Sequence, residues 1–125
     1  MRYLCLCYYD QGRFEALSKD EVAALGRACQ PHDAALRQSG RLILVGSLAL
    51  PPETRTLRAG SDRPAVAQEP FVATREPLGA FFIIEAPDMD EAVAVAARHP
   101  GAQLTAFGGA IEVRPIETFD QPERS

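Results

Sequence analysis

Long apolar runs, lysine, paired cysteines and phosphate-cradling glycine loops are scarce or missing in this 125-residue chain, and each shortage excludes something. No stretch approaches the ~18–20 apolar residues of a membrane-crossing helix. The opening Met1-Arg2-Tyr3-Leu4-Cys5-Leu6 lacks the apolar segment and small-residue cleavage site of a secretory leader. Positive charge is short as well. Thirteen Lys and Arg face 17 Asp and Glu, a formal net charge of −4 at pH 7. That balance favours solubility and argues against nucleic-acid or anionic-membrane binding as a general activity. Lys19 is the single lysine, so arginine carries nearly all the positive charge. The three cysteines, Cys5, Cys7 and Cys29, are odd in number, and two lie in an apolar run, which does not read as a secreted disulfide framework. Reduced thiols in a cytoplasmic protein are expected. Two nearby cysteines without paired histidines make a poor zinc signal. Gly101, Gly108 and Gly109 read as turn glycines, and no nucleophile elbow is present. Neither a metal nor another cofactor is expected.

What is present is an ordinary globular composition, 46% hydrophobic and 24% charged, in a chain of one-domain length. Such a domain can bury a core without metal or disulfide staples. Arg2 to Tyr9 is a continuous apolar run with aromatics, stopped by Asp10-Gln11-Gly12, and predicts a strand buried on both faces. Ser18-Lys19-Asp20-Glu21 is a capping box. The helix behind it carries Val22, Leu25, Cys29, His32 and Leu36 on one stripe, with a stop at Ser39-Gly40. Pro31 inside that stripe predicts a kink or two abutting helices.

Arg41 to Leu50 is a second strand. Thr54 to Arg58 and Pro64 to Gln68 form a small hairpin excursion, and Ala80 to Ala86 is another strand buried on both faces. Asp88 caps a second helix with core positions Met89, Ala92, Val93 and Ala96, broken by His99-Pro100-Gly101. Ala110 to Ile116 closes the sheet, and residues 118–125 form a polar tail after a domain spanning 1–117.

The order β-α-β, excursion, β-α-β predicts an α+β fold, the ferredoxin-like plait with both helices on one face of a mainly antiparallel sheet. Strands one and three are apolar on both faces while helices cover only one. A second copy of the chain on the open face, a homodimer, is the simplest cover.

Three segments carry a family resemblance: the opening Met1 to Leu6, the stretch Glu69-Pro70-Phe71-Val72-Ala73-Thr74-Arg75-Glu76-Pro77-Leu78-Gly79-Ala80-Phe81-Phe82, and the close Ile111 to Ile116. They resemble the YCII-related family, and within it the Asp-Gly-Pro-Phe (DGPF) branch, in order and spacing over about residues 1 to 117. The signature Asp-Gly is Gln68-Glu69 here, while Pro70 and Phe71 are kept. A glycine at that point is free to take positive φ, which Glu69 would resist. The replaced Asp reads either as turn chemistry or as a lost active-site carboxylate. The resemblance implies a dimeric α+β barrel with a cleft between two packed sheets. Among such relatives are a dehydrochlorinase of a chlorinated hydroxyquinol, a protein with a proposed His–Asp active centre, and DGPF members encoded beside extracytoplasmic-function sigma factors. Fold alone does not carry any of these roles across.

Several side chains are candidates for chemistry, each with a plainer alternative. His32 sits on the helical stripe beside Pro31, either as a buried neutral histidine or as a general base facing a cleft. Asp33, next in sequence, points about 100° away on a helix. His99 at a helix end reads as a structural partner of the helix C-terminus. Glu112 and Arg114 share a strand face, as an ion pair or as a clamp for an anionic ligand, and Tyr8 is either a tentative ligand-binding residue or a packing group with one wet end. Glu69 and Glu76 are tentative auxiliary acids, or solvated loop residues. The resulting expectation is a cytoplasmic dimer that binds a small organic molecule, with a cofactor-independent lyase or isomerase activity by proton abstraction. The alternative is a non-catalytic regulatory partner, for example of a sigma factor.

Overall fold

The computed structural model describes residues 1–123. Its main sheet holds β1 (Arg2–Tyr8), β2 (Leu42–Ser47), β5 (Leu78–Glu85) and β6 (Ala110–Pro115) in the order β2-β5-β1-β6, every pair antiparallel. The first and third strands of the plait are therefore central, as a ferredoxin-like connection requires. Between β2 and β5 the chain makes the excursion, a two-stranded hairpin of β3 (Thr56–Arg58) and β4 (Ala65–Ala67).

Alternation along β1 sorts the two faces. Tyr3, Cys5 and Cys7 are buried and lie in register with Ile84, Phe82 and Ala80 of β5. They pack against Leu36 of α2 (Lys19–Gln38) and against Ala92, Val95 and Ala96 of α3 (Met89–Ala96), so both helices cover one face. Full burial of side chains such as Ile84 or Val95 stabilises by roughly 1.5–3 kcal/mol each. The opposite face presents Leu4 and Leu6 beside Ile83 and Phe81, all half-buried.

The capping box forms as expected. Ser18 Oγ accepts the Glu21 N–H and Glu21 Oε1 accepts the Ser18 N–H, both at 3.1 Å. Asp88 likewise caps α3 by accepting the Glu91 N–H at 2.8 Å.

Four details differ from expectation. α2 is one helix and not two abutting ones: it continues through Pro31, which lies with Arg27 on its exposed side. α3 turns Ala92, Val95 and Ala96 inward and leaves Val93 and Met89 exposed; small Ala92 lets the helix approach the sheet more closely than Met89 would. A short helix α1 (Gln11–Glu15) occupies what read as a strand stop, held by Asp10, whose carboxylate accepts the Arg13 N–H at 3.0 Å. His99 ends no helix; it begins α4 (Pro100–Gln103), where Pro100 fits the first helical position. The tail is partly anchored, with the Arg2 guanidinium 4.2 Å above the Phe119 ring, while residues 124 and 125 of the expected tail lie outside the described residues.

Candidate functional site

A cavity of about 330 Å³ opens on the helix-covered face at the end of β1. Its floor is sheet: Cys7, Gly79 and Ala80. α2 contributes Cys29 and Asp33, the end of β2 contributes Ser47 and Leu48, and α4 contributes Pro100 and Gly101 behind His99. Tyr9, Phe14 and Phe107 complete an aromatic rim, with Tyr9 and Phe14 edge to face at 5.7 Å. Gly79 matters here, because a Cβ would stand 2.7 Å from the Tyr9 ring; its absence lets that ring lie on the strand.

His99 is the most constrained polar group of the cavity. Its ring stacks on buried Phe82, centroids 4.9 Å apart and planes within 7°. Its Nδ1 accepts the Gly101 N–H at 2.9 Å, which caps α4. A neutral imidazole whose Nδ1 accepts carries its proton on Nε2. That Nε2 lies 3.9 Å from the Cys7 sulfur, a long and weak contact. Burial pushes the His99 pKa down from its ordinary value, and the negative charge of Asp33 opposes this without reversing it. Near neutral pH the ring is therefore uncharged.

The thiols beside it are not nucleophiles. Burial pushes Cys7 up to about 12, and Cys5 likewise to about 12 with help from Cys7, so neither supplies thiolate at neutral pH. Burial, and then Asp33, also raise Cys29. Among the described residues no cluster of His, Cys, Asp or Glu could hold a metal ion.

The sequence-derived candidates fall in three places. His32 is half-buried on α2, its side chain makes no hydrogen bond to another described residue, and it lines none of the described cavities. Tyr8, Glu112 and Arg114 come together on the open face, where the Tyr8 hydroxyl donates to Glu112 Oε1 at 3.4 Å with Arg114 two residues along β6, and Tyr8 also borders the cavity. Burial and then Glu112 raise the Tyr8 pKa, while Arg114 lowers it. Glu69 and Glu76 are both exposed and line no described cavity. The Glu69 carbonyl accepts from the Thr56 hydroxyl, and the Glu76 N–H donates to Thr74 Oγ1 at 3.0 Å. Among the described residues no non-glycine has positive φ, so Glu69 sits in ordinary backbone where the signature has glycine. The retained Pro70 and Phe71 line a second, wider cleft of about 1010 Å³ between the hairpin and the sheet edge, and Arg58 lies over the Phe71 ring at 4.6 Å.

Sequence reasoning missed the pairing of His99 with Asp33 around one cavity. A local signal existed, since His-Pro-Gly places a proline at a helix start with a side-chain acceptor before it. In the sequence Asp33 stands out only as the neighbour of His32. The same 100° step that separates them on the helix points Asp33 to the cavity.

Comparison with known proteins bears on ancestry. The chain is 30% identical over 123 residues to an uncharacterised protein of Rhizobium meliloti (strain 1021), covering 98% of each. Among solved structures it is similar to the 5-chloro-2-hydroxyhydroquinone dehydrochlorinase of Burkholderia phenoliruptrix in complex with 2,5-dihydroxybenzoquinone, with 21% identity, 94% of each chain covered and a TM-score of 0.48. A sequence model of the YCII-related domain matches residues 1–120, the whole plait with its excursion, and the chain belongs to the YCII-related family.

Proposed function

We propose that this protein binds a small organic molecule in the cavity beneath His99 and acts on it as a cofactor-independent lyase or isomerase. The observation that carries this reading is the convergence of a neutral, oriented imidazole and one carboxylate on an otherwise apolar cavity. Small-molecule sites have this form, mostly apolar walls with a few placed polar groups, and about 330 Å³ is at the small end of their range. In the reaction, the Asp33 carboxylate takes a proton from carbon next to a carbonyl, and the electron pair moves onto the carbonyl oxygen. Return of the proton to another carbon completes an isomerisation. Departure of a neighbouring group with its bonding pair completes an elimination.

The test is solvent-deuterium exchange into a panel of single-ring carbonyl compounds, followed by NMR. The wild type should catalyse exchange of at least one. Asp33→Asn should lose that activity with an unchanged melting temperature, because Asp33 is exposed to solvent at the cavity edge. No binding and no exchange across the panel would refute the reading.

The half-buried Leu4, Leu6, Phe81 and Ile83 favour a second proposal, homodimerisation through the open sheet face, which would enclose Tyr8, Glu112 and Arg114. Light scattering at micromolar concentration should then return twice the 13.6 kDa chain mass, and a monomer would refute it. A cytoplasmic setting, where Cys5, Cys7 and Cys29 stay unpaired, completes the reading. No helix among the described residues is long and apolar enough to cross a membrane.

A further inference from the structure

The geometry points to a sharper assignment, which rests on the cavity being a small-molecule site: His99 is a fixed hydrogen-bond donor, and the ligand is an uncharged, single-ring-sized compound. That compound presents an acceptor oxygen to His99 Nε2 and a donor group to Asp33.

Three observations lead there. First, the tautomer is locked from outside the cavity. Nδ1 holds the Gly101 N–H at 2.9 Å, so a proton can enter at Nδ1 only by breaking the cap of α4, while Nε2 already carries one. A histidine held in this way donates and does not serve as a base. Second, among the described residues the Nε2–H has no strong partner to give up. The Cys7 sulfur at 3.9 Å is a weak acceptor, so a ligand oxygen at ordinary hydrogen-bond distance replaces it with a net gain. The stack on Phe82 keeps the ring from turning away.

Third, the walls select against charge. Among the described residues no Lys or Arg lines the cavity, and Asp33 is its one acidic residue. An anionic ligand would meet a carboxylate with no cation to offset it, and would shed its water in an apolar space. A cation would suit Asp33 but would face the Nε2–H, a donor to which it offers nothing. A neutral molecule with one acceptor and one donor satisfies both groups. Arg114, the sequence-based candidate for an anion clamp, belongs to the opposite sheet face and does not alter this balance.

The experiment uses two nearly isosteric probes, neutral 4-hydroxybenzamide and anionic 4-hydroxybenzoate, titrated into uniformly 15N-labelled protein near neutral pH. The expected result is that the benzamide binds at least tenfold more tightly than the benzoate, and that Asp33→Asn narrows this gap several-fold. Long-range 1H–15N spectra of the free protein should show His99 as the Nε2–H tautomer. His99→Gln, which keeps a donor amide near the Nε2 position but cannot act as a base, should retain benzamide binding within about threefold. His99→Leu should lose it tenfold or more.

Benzoate binding as tightly as the benzamide, or an Nδ1–H tautomer, overturns the inference. The tautomer is read without any ligand. If neither probe binds but the Nε2–H form is seen, the small-molecule reading of the cavity fails, and with it the ligand assignment, while the donor geometry stands.

Discussion

Replacing Phe82 with leucine joins the core to the cavity in one perturbation. Phe82 is completely buried on the central strand β5, facing Cys5 across the pair and stacked on the His99 ring. Removing a buried phenyl down to alanine costs about 3–5 kcal/mol, and leucine restores roughly half of the removed carbons. The forfeited stack adds about 0.5–1.5 kcal/mol. A loss near 2–4 kcal/mol follows, and at this chain length each kcal/mol moves Tm by roughly 3–6 °C. Phe82→Leu should therefore melt about 6–24 °C below wild type. Far-UV circular dichroism is the suitable probe, because the chain contains no tryptophan to report by fluorescence.

The same variant should alter a pH dependence. The folded-state pKa of His99 lies below its ordinary value of 6.5, so in the interval between the two the unfolded chain binds more protons than the native one. This contribution to stability is complete above 6.5 and falls as the pH drops through that interval. Space opened beside the ring admits solvent and lessens the depression, so the fall should be shallower in Phe82→Leu. A Tm change under about 2 °C with an unchanged pH slope would refute the packing assigned to Phe82 and the stack together.

Two further outcomes follow from local structure. Ser18→Ala removes one half of the capping box of α2 and should cost about 1 kcal/mol, roughly 3–6 °C in Tm; no change would show that the first turn of α2 contributes nothing to stability. His99→Gln cannot titrate, so its loss of Tm between about pH 7.5 and pH 5.5 should be smaller than that of the wild type, and an equal loss would assign the dependence to other groups.

The plait was legible because its signals are local and redundant. Both faces of β1 and β5 announce themselves in consecutive apolar residues, and Ser18 with Glu21, and Asp88 with Glu91, mark helix starts by side-chain chemistry. α1 was invisible for the converse reason: five residues including Gly12 show no period, and only Asp10 hints at it. The candidate cavity was hidden more deeply. His99, Asp33, Cys7 and Ser47 come from four elements, and only the folded chain brings them to one space. The stripe on α2 drew attention to His32, yet the stripe member that lines the cavity is Cys29, joined there by Asp33 one turn further along the helix. The replaced signature residues Gln68-Glu69 suggested strain or lost chemistry; the backbone there is unstrained, and Pro70 and Phe71 serve the cleft under the hairpin.

Gly46, on the face away from the cavity, has a bearing on how accurately the cavity is built. It lies opposite Phe81, whose Cζ would stand 2.6 Å from any Cβ at that position, so the ring occupies the place of the missing side chain. A slip of β2 by one residue would drive the Cβ of Val45 or Ser47 into the ring, and would also turn every side chain of the strand to the wrong face. The pairing of β2 with β5 already tolerates one irregularity between Leu42 and Leu44, so an edge strand of this kind needs a stop. Phe81 acts as a ratchet pawl and Gly46 as its single notch. Ser47 and Leu48, the next two residues, line the cavity on the other side of the sheet. The dimensions of the candidate site are thus gauged through the thickness of the sheet, by a contact that no ligand ever touches.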